Sequence, residues 1–241
     1  MARDTLIVIP TFNEKENVVE LLEGIRSHLP EADVLVVDDD SPDGTATLAD
    51  ETGRRLGHVE VLRRAGRLGI GSAYVEGFRR GLARGYAFLV SMDADLSHEP
   101  RYLPALRAAA DGADLVIGSR YLHGVSVVNW SLRRLAMSVG ANVYARRITG
   151  LPVQDCTSGF QCIRRQVLEA INVDRLRFSG YSFLIEVKYR AYRRGFRLAE
   201  VPIIFIDRKS GQSKITRREV LRSVWAVWAM RLGSNERVVA R

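Results

Sequence analysis

Cysteine is nearly absent from this 241-residue chain. The two present, Cys156 and Cys162, match no zinc-ligand spacing and suggest no disulfide framework, so a reducing compartment is the simpler expectation. No apolar run reaches the roughly 18 residues that a membrane-spanning helix needs. The first strand-like run begins at Thr5, which leaves no room for a signal peptide. The expectation is a cytoplasmic protein, soluble or peripheral to a membrane. Histidine is scarce too: His28, His58, His98 and His123 have neither metal-ligand nor triad spacing, and only His98 stands beside an acidic motif. No Pro/Ser-rich linker, repeat or low-complexity tract divides the chain. There is no P-loop, and Gly69-x-Gly71 is only a fragment of the dinucleotide fingerprint.

Charge is plentiful but lopsided. Residues 1–120 carry 14 basic and 20 acidic side chains, net −6, whereas residues 121–241 carry 22 and 8, net +14. No nucleic-acid module accompanies the basic half, so nucleic acid is not the expected partner. An anionic lipid surface and a phosphate-bearing acceptor account for the excess more economically. Arg146, Arg147, Arg193 and Arg194 read as solvated helix faces.

Thr5 to Pro10 is continuously apolar, which predicts a strand buried on both faces. Thr11-x-x-Glu14 has the pattern of a capping box and predicts a helix to about His28. Asp33 to Val37 predicts a second strand, ending in the acidic, turn-rich segment Asp38-Asp39-Asp40-Ser41-Pro42-Asp43-Gly44. A third strand, Val59 to Leu62, leads into a glycine-rich loop, Arg64 to Ala73, and a helix ending near Gly85. Tyr86 to Val90 predicts a fourth strand. This alternation implies an α/β fold, a mostly parallel sheet with helices on both faces.

After the fourth strand comes Asp93-Ala94-Asp95. If the strand continues through them, both carboxylates project to one side. Two carboxylates aimed at one point call for a cation, and oxygen ligands suit Mg²⁺ or Mn²⁺. The carboxyl end of such a strand lies in the ligand crevice of an open α/β sheet. Taken singly, these residues also have simpler readings: Asp38 to Asp40 as a solvated loop, Pro10 as a strand stop and Glu14 as a helix cap.

Taken together, Pro10-Thr11-Phe12-Asn13-Glu14, Val37-Asp38-Asp39-Asp40-Ser41-Pro42-Asp43-Gly44-Thr45, Gly69-Ile70-Gly71-Ser72-Ala73-Tyr74 and Asp93-Ala94-Asp95 resemble the family 2 glycosyltransferases of GT-A fold. Within that family the chain is most similar to the dolichyl-phosphate (polyprenyl-phosphate) mannose synthases. The similarity continues through Gly118-Ser119-Arg120-Tyr121, Trp130 with Arg134 and Ser138, Asp155 to Phe160, Gly180 to Phe183, and Arg208-x-x-Gly211-x-Ser213-Lys214.

The resemblance implies transfer of mannose from GDP-mannose to a dolichyl or polyprenyl phosphate with inversion. It implies that Pro10, Phe12, Glu14, Val37 and Asp39 line the nucleoside pocket, and that Asp93 and Asp95 hold metal and diphosphate with Ala94 against the nucleotide. Arg120, Arg134 and Ser138 would receive the acceptor phosphate, and Arg208 and Lys214 would clamp the donor phosphates. Asp95, Arg120 and Arg134 are the expected catalytic set. Two departures stand out: Phe12 replaces a frequent Tyr, and Ser97 replaces a frequent Gln metal ligand, a shorter group that reaches a cation only weakly or through water. A UDP-glucose-dependent transferase and a non-catalytic nucleotide-sugar-binding subunit are the alternatives.

The expected organisation is a GT-A domain over residues 1–212 and an amphipathic helix over 213–241. The domain divides into a nucleotide-sugar and metal half, 1–120, and an acceptor half, 121–212. Thr216-x-x-Glu219 is a second capping pattern, followed by Val220, Leu221, Val224, Trp225, Val227, Trp228 and Leu232 among arginines. Such a helix either packs on the core or lies in a membrane interface, with a small membrane subunit as a further partner. The expected location is peripheral, on the cytoplasmic face of a membrane.

Overall fold

The computed structural model describes residues 4–178, 180–206 and 217–233. Its elements run β1 (Thr5–Thr11), α1 (Val18–His28), β2 (Asp33–Asp38), α2 (Thr45–Leu56), β3 (Val59–Arg63), α3 (Ile70–Ala83), β4 (Phe88–Ser91), α4 (Leu103–Ala109), β5 (Leu115–Ser119) and β6 (Val127–Val128). There follow α5 (Leu132–Thr149), β7 (Gln161–Arg164), α6 (Arg165–Ile171), α7 (Tyr181–Arg193), β8 (Leu198–Pro202), β9 (Phe205–Ile206) and α8 (Arg217–Leu232). Seven strands form one sheet in the order β3-β2-β1-β4-β7-β5-β8, and β6 and β9 form a separate pair. Every pairing in the large sheet is parallel except those of β7, which runs antiparallel to both β4 and β5.

The continuous apolar run of β1 serves two cores at once, because successive side chains leave opposite faces of a strand. Leu6 and Val8 enter a cluster with Tyr74, Phe78 and Phe183, while Ile7 and Ile9 join Leu21, Leu22 and Ile25 on the other side. Helix α3 lies very close to the sheet. A β-carbon at Gly77 would collide with Val8 Cγ1, and one at Gly81 with Leu89 Cδ2.

Two sequence expectations fail here for local reasons. The Thr11-x-x-Glu14 box does not form: α1 begins at Val18 after Asn17, without a side-chain cap. Thr11 instead donates to Asp38 Oδ2 at 2.7 Å, and Asn13 takes φ +59°, outside the helical region. The aspartates of Asp93-Ala94-Asp95 are not on a strand either. β4 stops at Ser91, and the chain turns through a loop with Leu96 at φ +60°. The carboxylates are therefore placed by loop hydrogen bonds, not by strand alternation.

Helix α8 divides its sides. It packs on α5 and α7, burying Ala226, Val227 and Met230, while Trp225 is 73%, Trp228 48% and Leu232 77% exposed. Tyr144 Oη donates to the Val224 carbonyl at 2.9 Å, which ties α8 to α5. Among the described residues no helix is long and apolar enough to cross a membrane.

Candidate active site

The carboxyl ends of β1, β2 and β4 meet at one edge of the sheet, where the acidic run after β2 is held by donors from its own chain. Asp38 is buried. It accepts Thr11 Oγ1 (2.7 Å) and Ser41 Oγ (2.7 Å) at Oδ2 and the Ser41 N–H (2.9 Å) at Oδ1. Asp39, also buried, accepts Arg64 Nε at 2.5 Å and the Gly69 N–H at 2.8 Å. Arg64 further donates to Ser72 Oγ (2.7 Å) and the Gly69 carbonyl (3.1 Å), so β3, the glycine-rich loop and α3 are fastened around one carboxylate. Burial alone would raise the Asp43 carboxyl. Hydrogen bonds from the Thr45 hydroxyl and N–H and the Lys15 N–H more than offset this, and its pKa lies below the usual value.

The other expected nucleoside residues surround this edge. Arg67 lies 4.3 Å above the Phe12 ring, a cation–π contact. Glu14 accepts Asn17 Nδ2 at 2.8 Å, and its N–H donates to Thr45 Oγ1 at 2.9 Å. Pro10 pairs in register with Val37, whose side chain is fully buried in the core.

In the loop after β4, Asp93 Oδ1 accepts Tyr74 Oη at 3.0 Å, and the Asp93 N–H donates to His98 Nδ1 at 3.0 Å. That bond assigns the imidazole proton to Nε2. His98 is buried and stacks on Phe160, with ring centroids 5.0 Å apart. Burial, then the charge and hydrogen bond of Asp93, hold the Tyr74 phenol well above its ordinary pKa, so it remains a donor. Asp95 Oδ1 accepts the Ser97 N–H at 3.1 Å; the Ser97 side chain is buried, and so is Ala94.

Both aspartates are only partly covered. Among the described residues no three His, Cys, Asp or Glu side chains converge. A hard cation here would take two protein carboxylates and draw its remaining ligands from diphosphate and water, a normal arrangement for Mg²⁺. The donor set fits such an ion.

The basic side of the site is built from β5, α5 and the loop before β7. Arg120 is buried. Its Nε and Nη2 each reach an oxygen of the fully buried Asp155 at 2.7 Å, and Nη2 also donates to Thr157 Oγ1 at 2.7 Å. Burial would raise the Asp155 carboxyl, but the charge and hydrogen bonds of Arg120 hold it below its ordinary value. Arg134, in the first turn of α5, places its guanidinium 4.2 Å from the centre of the Trp130 ring. Ser138 Oγ accepts Tyr121 Oη at 2.8 Å. Trp130 and His98 each meet the ring of Phe205 edge-on, at 5.5 and 5.8 Å. Arg208 and Lys214 lie outside the described residues.

Two further buried charges belong to no motif in the sequence. Lys188 is fully buried, donates to the carbonyls of Ser158 (2.7 Å) and Leu184 (3.2 Å), and is driven down to about 8 by burial. Glu186 accepts the N–H groups of Arg177 and Phe178 at 2.9 and 3.1 Å and bonds Arg190 Nε at 2.9 Å. Both brace loops beside the site. The available signal was a pair of opposite charges inside an otherwise apolar stretch, Phe183 to Tyr189.

The model of the family described as Glycosyl transferase family 2 matches residues 6–171. A polyprenol monophosphomannose synthase of Mycolicibacterium smegmatis is 44% identical over 231 residues, which is 94% of this chain and 87% of that protein. An undecaprenyl-phosphate mannosyltransferase of Micrococcus luteus is 46% identical over 88% of this chain and 87% of its own. A dolichol-phosphate mannosyltransferase of Pyrococcus furiosus is 36% identical over 97% of this chain and 66% of its own. Among solved structures, glucosyl-3-phosphoglycerate synthase of Mycobacterium tuberculosis, in complex with Mn²⁺, UDP and glucosyl-3-phosphoglycerate, superposes with a TM-score of 0.65. It is 21% identical and covers 96% of this chain and 79% of that one, a likeness of fold.

Proposed function

We propose that this chain, which belongs to glycosyl transferase family 2, is an inverting mannosyltransferase that makes polyprenyl-phosphate mannose with GDP-mannose as the donor. The observation that carries this reading is identity of 36–46% to three mannosyltransferases of lipid phosphates, over 88–97% of the chain. Asp93, Asp95, Arg120 and Arg134 all fall within residues 6–171, which the family model matches.

In this reading an oxygen of the lipid phosphate attacks the anomeric carbon of the sugar. The bond from that carbon to the nucleotide's β-phosphate oxygen breaks, GDP leaves, and the anomeric configuration inverts. The nucleophile is already an anion, so the site needs no strong general base. Asp93 and Asp95 would hold Mg²⁺ or Mn²⁺, which when bound neutralises charge on the departing diphosphate. Tyr74 and the Ser97 N–H fix those carboxylates in place. Asp39, held by Arg64 and Gly69, would meet the nucleoside beside Pro10, Phe12 and Glu14. Arg134, stacked on Trp130, would present its planar donors to the acceptor phosphate, with Ser138 alongside. Arg120 would shape that pocket through its pair with Asp155. Arg208 and Lys214 are assigned to the donor phosphates.

A polyprenyl tail is too apolar for a soluble pocket, so the chemistry takes place at a membrane. We assign docking there to the outward face of α8, where Trp225, Trp228 and Leu232 are exposed, and place it on the cytoplasmic leaflet. The test is incubation of the purified protein with polyprenyl phosphate in vesicles and a panel of labelled nucleotide sugars, followed by identification of the lipid product. A mannosyl lipid from GDP-mannose is the expected result. A glucosyl lipid from UDP-glucose would reassign the donor, and no lipid product from any donor would overturn the reading.

A further inference from the structure

The donor and acceptor sides of the site meet on one side chain. The ring of Phe205, in the short strand β9, contacts His98 at 5.8 Å and Trp130 at 5.5 Å, both edge-on at 77°. It also lies 5.3 Å from the Arg120 guanidinium. His98 in turn accepts the Asp93 N–H, and Trp130 carries Arg134. Asp93 and Arg134 are therefore the two ends of one unbroken run of contacts with Phe205 at its middle. The backbone of Phe205 is fixed independently: its N–H donates to the Ser126 carbonyl at 2.9 Å, and the Ile204 N–H to Tyr102 Oη at 3.0 Å.

We propose that Phe205 is a positioning residue common to both substrate sites, setting the metal-binding loop through His98 and the acceptor pocket through Trp130 and Arg120. The proposal rests on the lipid-phosphate mannosyltransferase reading. Aromatic rings in edge contact hold a defined angle as well as a distance. One ring wedged between His98 and Trp130 thus sets where each stands relative to the other. In-line transfer depends on that relation, because the attacking oxygen and the anomeric carbon must be held in near-attack geometry.

The test is steady-state kinetics of F205L and F205Y with GDP-mannose and polyprenyl phosphate varied separately. In F205L both KM values should rise, each by about two- to tenfold, the scale of a lost aromatic contact. F205Y, which keeps the ring, should stay within about twofold of wild type, below that range. R134K provides the contrast and should move the lipid KM alone. A residue that served only the fold would lower the active fraction and kcat and leave both KM values unchanged. That result, or a rise in only one KM, overturns the proposal. Should F205L fail to fold, F205M carries the same expectation. Failure of the underlying reading is seen separately, as a wild-type protein that makes no mannosyl lipid.

Discussion

Arg120 clasps Asp155 with two parallel hydrogen bonds of 2.7 Å while the carboxylate is wholly out of solvent. Removing one member of a buried pair leaves the other charge uncompensated, which costs about 3–5 kcal/mol. Asp155→Asn should therefore lower the unfolding free energy by roughly that amount in urea titrations. Replacing both members with apolar residues (R120M/D155L) should recover much of the loss. Lipid kinetics of the recovered double variant then separate the two roles of Arg120: an unchanged lipid KM would mean that Arg120 serves the fold alone.

Asp95→Asn should leave the fold intact, because the residue sits on a partly exposed loop and keeps an oxygen for the Ser97 N–H. Turnover should fall by about two to three orders of magnitude, the scale of losing a transition-state charge contact. Near-normal rates for this variant in the presence of a chelator would sink the metal assignment.

Replacing Trp225 and Trp228 with Ala should weaken sedimentation with anionic liposomes more than it lowers the melting temperature, since Trp225 is largely and Trp228 about half exposed. Val227→Ala should do the reverse, because Val227 is buried against the core. A melting temperature that collapses in the double Trp variant with liposome binding intact would return α8 to a purely structural role.

Lys188 makes stability depend on alkaline pH. The folded amine titrates near 8 and the unfolded one near 10.5, so between those values the unfolded chain binds more protons and stability rises with pH. Relative to Lys188→Met, the wild type should gain on the order of 3 kcal/mol across that window. Urea unfolding of both proteins at a series of pH values measures it. A constant difference would show that the buried amine titrates normally.

The strands were legible because β1, β2 and β4 are apolar runs too short for helices and bounded by turn residues. Asp93 and Asp95 were legible as a motif but not in their conformation, which depends on His98 and Tyr74 reaching in from elsewhere. The Thr11-x-x-Glu14 box misled because Thr11 has a stronger claim on it, the buried Asp38 on the neighbouring strand. The antiparallel β7 left no trace in periodicity: four residues, Gln161 to Arg164, are too few to show a pattern. Arg120 was legible as basic and well placed. Its partner Asp155 lies 35 residues away, and only the folded sheet brings the two together.

The close seating of α3 closes off a familiar engineering route. Glycine-to-alanine changes in helices commonly stiffen a protein by about 0.4–1 kcal/mol, through the unfolded chain. At Gly77 and Gly81 the added methyl would meet the buried side chains of Val8 and Leu89, and either those side chains or the helix would have to shift. Tyr74 rides on that helix, and any shift of it would strain the Tyr74–Asp93 hydrogen bond. At these two glycines, stiffening the helix would therefore cost durability and turnover together.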